Sequence, residues 1–258
     1  MKLLFLGAGS AFSLKNYQPN LIIEHNGKRL LVDAGGDIRF SLRDVGLSSN
    51  DIDTVYITHL HNDHIGGMEY IAFTTYFNPN KGKPRIFCHK LLVEDLWSHS
   101  LKGGLSSVQG KILNIYDYFD VHALNIDDEF EWEGISFSMV SAIHVFNGYS
   151  TIPTFGLRFV SPAGNKVFLT SDTQFTPDHL AEHYKEADII IQDCETTPFR
   201  TEVHANFDDL KTLPDSIKKN MLLWHYQDNV VSNFEEWQNK AHENGFRGFV
   251  SKGEVIEL

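Results

Sequence analysis

Short apolar runs of strand length recur along this chain between polar segments. Residues 2–6, 20–24, 28–32 and 54–57 form the first set. Runs this short, rich in Leu, Ile and Val and bounded by Gly, Asn or Asp, predict buried strands. Asn26-Gly27 joins the second and third runs as a hairpin turn. Residues 37–45 are a short helix candidate. Helical spacing then covers 65–77, which ends at Asn78-Pro79-Asn80-Lys81-Gly82, and 90–99. Further strands are expected at 85–88, within 121–141, and at 155–160, 167–170, 187–192 and 221–224. Helices are expected at 177–184, with Pro177 in the first turn, over most of 205–219, and at 234–244. Short strands in 248–257 close the chain. Strand runs followed by helices in each half suit two sheets face to face with helices outside, although periodicity alone does not single out that arrangement.

Two stretches break the pattern. Gly7-Ala8-Gly9-Ser10-Ala11-Phe12 looks like a nucleotide-binding fingerprint, but Phe12 stands where the third glycine belongs and no helix pattern follows. It reads as a tight loop near a site, with Ser10 a candidate substrate contact. Residues 101–120 are the least regular, with Gly103-Gly104 and Ser106-Ser107 followed by Tyr116, Tyr118 and Phe119. They suit a lid, a stacking platform for substrate, a dimer contact, or aromatics folded into the core.

A chain of 258 residues can bury a large core and is expected to form one domain, 1–258. Its 22 basic and 34 acidic residues give a net charge of −12. That balance disfavours long nucleic acid and anionic membranes and favours a small substrate or a local positive spot. Cys88 and Cys194 are the only cysteines, far apart, which points to a reducing compartment without disulfides. The apolar start, Met1 to Gly7, is too short for a signal-peptide core or a membrane span. The expectation is a soluble cytoplasmic protein, in host cytoplasm if the source is viral.

The chemistry concentrates in Thr58-His59-Leu60-His61-Asn62-Asp63-His64, between an apolar strand and Ile65-Gly66-Gly67. His59 and His61 are two apart at an extended strand end and point the same way. The following turn carries Asp63 and His64 round to a second point nearby, which suits two metal ions side by side. Imidazole and carboxylate donors without thiolate suit zinc, and also manganese or iron. Surface histidines ahead of a helix are the plainer reading, and it leaves the density of donors unexplained.

This stretch resembles the H-x-H-x-D-H motif of the metallo-β-lactamase fold hydrolases. Other parts of that pattern recur in order, each after an apolar run: Asp33, His144, Asp172 and His225. The resemblance spans nearly the whole chain and implies an α/β (α+β) fold, a four-layer αββα sandwich. It also implies that His59, His61 and His144 hold one metal, Asp63, His64 and His225 the other, and that Asp172 bridges them. Two Zn2+ per protomer are expected, with Mn2+ or Fe2+ as alternatives. Asp33 is implied to orient a metal-binding histidine, the other reading being a cap on helix 37–45. Asp63 also counts among the catalytic residues.

The opening Phe5-Leu6-Gly7 and the pair Glu195 and His204 resemble the ribonuclease Z branch. Asp193-Cys194-Glu195-Thr196 stands where that branch has His-Glu-Ala-Thr, so the match is partial. The resemblance implies that His204 donates a proton to the leaving oxygen and that Glu195 orients it. The same branch includes small cyclic-nucleotide phosphodiesterases, among them phage enzymes that defeat Pycsar immunity. The length and the lack of a Gly/Pro-rich arm are most similar to that group. The function expected is hydrolysis of 3′,5′-cyclic mononucleotides, purine and pyrimidine, to 5′-monophosphates by a homodimer, with Tyr116 and Tyr118 as candidate substrate contacts. A transfer-RNA 3′-endonuclease, a glyoxalase-type thioester hydrolase and a non-enzymatic binding relic are the alternatives.

Overall fold

A computed structural model describes residues 1–78 and 80–258. Pro79, expected in the turn that ends helix 65–77, lies outside the described residues. One seven-stranded sheet runs in the order Val255–Glu257, Lys2–Gly7, Asn20–His25, Lys28–Val32, Thr54–Ile57, Arg85–His89, Asp120–Leu124. The other runs Gly248–Phe249, Met221–Trp224, Ile189–Asp193, Lys166–Leu169, Thr154–Val160, Ile135–Ala142, Glu129–Trp132. Each sheet has an antiparallel half and a parallel half, the parallel pairings of the first starting between Lys28–Val32 and Thr54–Ile57. In the second sheet they run from Lys166–Leu169 to Gly248–Phe249. Parallel strands are covered on both faces, which is why Thr54–Ile57 and Met221–Trp224 read as unbroken buried runs.

The sheets pack face to face. Phe87 of one stacks on Phe130 of the other with ring centroids 4.2 Å apart. The Tyr56 hydroxyl donates across the core to the carbonyls of Phe155 and Gly156, at 3.2 and 3.1 Å. Trp224 Nε1 donates to the Gly7 carbonyl at 2.8 Å. Helices such as Pro177–Glu186 and Phe234–Glu243 pack on the strands as outer layers, giving the αββα sandwich of the metallo-β-lactamase fold.

The irregular segments resolve for identifiable reasons. Helix 90–99 begins as the α-helix Lys90–Asp95, widens into a π-helical turn over Leu96–Leu101, and continues as Lys102–Leu105. Ser107–Val108 pairs with Lys111–Ile112, and Ile115–Tyr118 forms a helical turn capped by Asn114. Tyr118 is 1% exposed, packs on Tyr76 and donates its hydroxyl to the Leu105 carbonyl at 2.7 Å. Its expected substrate contact is therefore corrected: the ring belongs to the core. Helix 205–219 splits into Phe207–Leu210 and Asp215–Lys218, with Pro214 at the break.

The parallel strands of both sheets end on one edge, the usual place for a site in an α/β sheet. Three residues just beyond those ends hold left-handed backbone: Asp33 at φ 62°, Ser171 at 57° and His225 at 64°. Such conformations in non-glycine residues cost on the order of 1–3 kcal/mol each and gather at functional sites.

Candidate metal centre

Imidazole and carboxylate atoms converge where the strand ends meet. His59 Nε2 and His144 Nε2 lie 3.0 and 3.1 Å from His61 Nδ1. Asp172 Oδ2 sits 3.7 Å from His59 Nε2 and 3.6 Å from His144 Nε2. These four residues form one donor group, and Asp63, His64, Asp172 and His225 form a second. In the second group Asp63 Oδ2 is 3.3 Å from both His64 Nε2 and His225 Nε2. Asp172 Oδ1 is 3.3 Å from His64 Nε2, and Oδ2 is 3.4 Å from His225 Nε2. A tetrahedral ion with zinc–nitrogen bonds of about 2.0–2.1 Å sets its donors about 3.3 Å apart. Both groups have that spacing, and Asp172 belongs to both.

The surroundings aim these donors. Asp33 Oδ2 binds His64 Nδ1 at 2.7 Å and accepts the Thr58 hydroxyl at 2.7 Å, while Thr58 N donates to Oδ1 at 2.9 Å. With Nδ1 engaged, His64 Nε2 is left buried without a hydrogen-bond partner and directed at Asp63 and Asp172. His144 Nδ1 donates to the Val203 carbonyl at 2.7 Å, which frees its Nε2 in the same way. Carboxylate–histidine contacts of this kind fix tautomer and ring orientation at metal sites. Of the two readings of Asp33, the geometry places it against His64. Helix Ile38–Asp44 begins beyond it, with Asp37 rather than Asp33 at its N-cap position.

Charge points the same way. Burial, then the neighbouring His64, pushes His59 well below the usual imidazole range. Burial alone would lower His64, but Asp172, Asp63 and Asp33 carry it well above that range. Burial would raise Asp63, yet His64 and His225 hold it far below the carboxylate range. The buried carboxylates demand positive charge in contact, and a divalent ion supplies it in place of protons on imidazole. The residues fit divalent metal.

His204 sits beside the cluster, its ring 4.7 Å from that of His225 and 5.0 Å from that of His144. Its Nδ1 is held at 2.8 Å by Asp193 Oδ2, not by Glu195. Burial would lower His204, but Asp193, followed by Asp172 and Glu195, more than offsets this and raises it to about 9. Asp193 also lies 3.5 Å from His225 Nδ1 through Oδ1 and accepts from Thr173 N through Oδ2 at 2.9 Å. Glu195 turns to the loop instead, accepting from Thr201 N at 3.1 Å and Asn206 Nδ2 at 3.4 Å. The orienting carboxylate is thus Asp193, a residue the motif comparison passed over. Its signal lay in the strand: Asp193 is the last residue of the buried run Ile189–Asp193, the position that faces the site.

A cleft of about 360 Å³ opens onto the cluster. His61, Asn62, Asp63, His144, Asp172 and His204 line it together with the apolar Ala11, Phe12, Val145 and Val203. Ser10 adjoins it, but its hydroxyl is buried without a partner and does not line the cleft. Tyr116, 59% exposed, also lies outside the cleft lining. No helix among the described residues is long and apolar enough to cross a membrane.

The family model described as anti-Pycsar protein Apyc1 matches residues 1–256. An anti-Pycsar protein Apyc1 of Bacillus phage vB_BveM-Goe7 is 33% identical over 268 residues, covering 100% of this chain and 98% of the relative. Among solved structures, the metallo-beta-lactamase fold protein YhfI from Bacillus subtilis superposes with a TM-score of 0.76 at 18% identity, covering 100% of this chain and 98% of that one. The short form of human tRNase Z gives 0.72 at 18% identity, covering 100% and 99%. At that identity the two structures speak for the fold alone.

Proposed function

We propose a reaction from one premise: this chain belongs to the anti-Pycsar protein Apyc1 family. Family and donor set together support a metal-dependent phosphodiesterase. The finer reading is hydrolysis of 3′,5′-cyclic mononucleotides, purine and pyrimidine, to 5′-monophosphates. In a virus that activity would serve as counter-defence against cyclic-nucleotide immune signalling.

The observation that carries this reading is Asp172, shared by two donor groups in front of a carboxylate-held histidine. Two ions, proposed as zinc, would activate the attacking water and offset charge on the phosphate. Water adds at phosphorus, the P–O3′ bond breaks, and the 3′ oxygen takes a proton. His204 is placed to give that proton: it lines the cleft, and Asp193 occupies its Nδ1, which leaves Nε2 as the nitrogen available to the leaving oxygen.

A small substrate suits the rest of the molecule better than transfer RNA. Between His144 and Asp172 the only basic residues are Arg158 and Lys166. Arg158 is engaged by Glu186 at 2.5 Å, and the protein carries a net charge of −12. A polyanion would meet repulsion over most of this surface. The deciding experiment offers metal-loaded protein cyclic AMP, cyclic GMP, cyclic CMP, cyclic UMP, a transfer-RNA precursor and a glyoxalase-type thioester. Opening of the cyclic nucleotides is expected. Trimming of the precursor with the cyclic nucleotides intact would overturn the reading in favour of the endonuclease.

We also propose a homodimer with residues 101–119 near the partner's site. Ile112 is 90% exposed there, an apolar side chain without cover in the single chain. Sedimentation at micromolar concentration should give a dimer, and monomer alone would remove the idea.

A further inference from the structure

Phe12 is 91% exposed, yet it sits on a loop that is held almost everywhere else. Ser13 N donates to the Ser10 carbonyl at 3.0 Å, which makes Ala11 and Phe12 the tip of a turn. Gly9 N donates to the Tyr17 carbonyl at 2.9 Å and Ser10 N to the Tyr226 carbonyl at 3.0 Å. On the far side, Asp228 accepts the Ser13 hydroxyl, Leu14 N at 2.9 Å and Lys15 N at 3.2 Å. A Cβ on Gly9 would come within 2.4 Å of the Ser13 side chain, so the turn closes only on glycine there. The loop therefore spends many polar contacts to hold a large aromatic in water, where it stabilises no core.

What the held ring does face is the cleft. Phe12 lines the same cleft as His61, Asp63 and Asp172, as do the apolar Ala11, Val145 and Val203. A cleft of about 360 Å³ falls in the range of about 300–1,000 Å³ common for small-ligand sites. The donor groups of its lining suit a phosphate, and the exposed ring of Phe12 suits a flat apolar group.

Resting on the cyclic-nucleotide reading above, we propose that Phe12 is the platform on which the nucleobase stacks. It positions the substrate and sets its breadth. Stacking uses the π-face that every base has, so the platform itself does not discriminate between bases, although the Asn62 amide also lines the cleft. Purine and pyrimidine substrates are therefore both accepted.

The test is steady-state kinetics of metal-loaded protein on cyclic AMP, cyclic CMP and the base-free 3′,5′-cyclic ribose phosphate. Phe12→Ala should raise KM for both nucleotides about tenfold, with kcat little changed. The preference for base-bearing over base-free substrate, as a ratio of kcat/KM, should collapse by a similar factor. Phe12→Trp should restore it. Leu14→Ala, on the same loop, 94% exposed and outside the cleft lining, should leave the ratio as in wild type. An equal loss on the base-free substrate, or no change in Phe12→Ala, overturns the platform while the reaction stands. Wild-type protein inert on every cyclic phosphate overturns the reaction and the platform with it.

Discussion

Asp172 is the side chain on which both donor groups depend, because its two oxygens reach imidazoles of each. Asp172→Ala should abolish hydrolysis, and metal analysis should fall from two equivalents per chain to one or fewer. A variant that keeps two would show that the groups do not share it. The second residue-scale question is which carboxylate serves His204. His204→Ala and Asp193→Asn should each slow ring opening by roughly 10²-fold. Both should spare a p-nitrophenyl phosphodiester, whose leaving group needs little protonation. If Asp193 acts mainly through His204, the two losses should not add in the double variant, and any excess over His204→Ala reports its second contact, with His225. Glu195→Gln should not reproduce the leaving-group pattern, since its contacts are with Thr201 and Asn206. If it does reproduce it, Glu195 rather than Asp193 orients the acid.

Elements meet at the site through close backbone contact as well as side chains. The loop after strand Lys28–Val32 passes so near the metal-binding turn that a Cβ on Gly35 would fall 2.3 Å from the Asp63 carbonyl. Gly35→Ala must push one loop off the other, and overpacking of this kind costs about 1–3 kcal/mol. The expected result is a lower melting temperature together with weaker metal retention, since the displaced turn carries Asp63 and His64. Gly82→Ala is the comparison, as nothing lies within 4 Å of a Cβ there. A Gly35→Ala protein with unaltered melting and metal content would show that the two loops move independently.

At the scale of the whole molecule, the cluster ties together strand ends from both sheets. Metal bound only by the folded state therefore stabilises the sandwich as a unit, by about 2.7 kcal/mol for each ion present at a hundredfold excess over its Kd. Chelation should lower the melting temperature by several degrees, and returning the metal should restore it. A melting curve indifferent to chelator would place the cluster outside the folding unit. Net charge makes a separate prediction. If the substrate is the proposed mononucleotide, it would meet only a local positive spot on a protein of charge −12, and kcat/KM should change little with added salt. A steep decline would indicate a polyanion track absent from this reading.

The strand runs, the dense donor cluster of His59, His61, Asp63 and His64, and the ordered partners Asp33, His144, Asp172 and His225, which the structure brings together, were all marked in the amino-acid order. The strand runs and the His59–His64 cluster are local patterns, a buried strand declaring itself by apolar length, whereas Asp33, His144, Asp172 and His225 were marked by their resemblance to the metallo-β-lactamase fold motif. Net charge and the short span between His144 and Asp172 likewise set the expectation of a small substrate. Tertiary structure alone decided the rest. Asp193 and Glu195 both end up buried, and only the packing of the 197–206 loop shows which of them His204 meets. Tyr116 and Tyr118 are two residues apart, yet the helical turn Ile115–Tyr118 puts one in water and the other in the core. Ser10 lost its place at the cleft to Phe12 because one tight turn hides the hydroxyl and presents the ring. Each of these outcomes depends on contacts between segments far apart in the chain, and local composition carries no record of them.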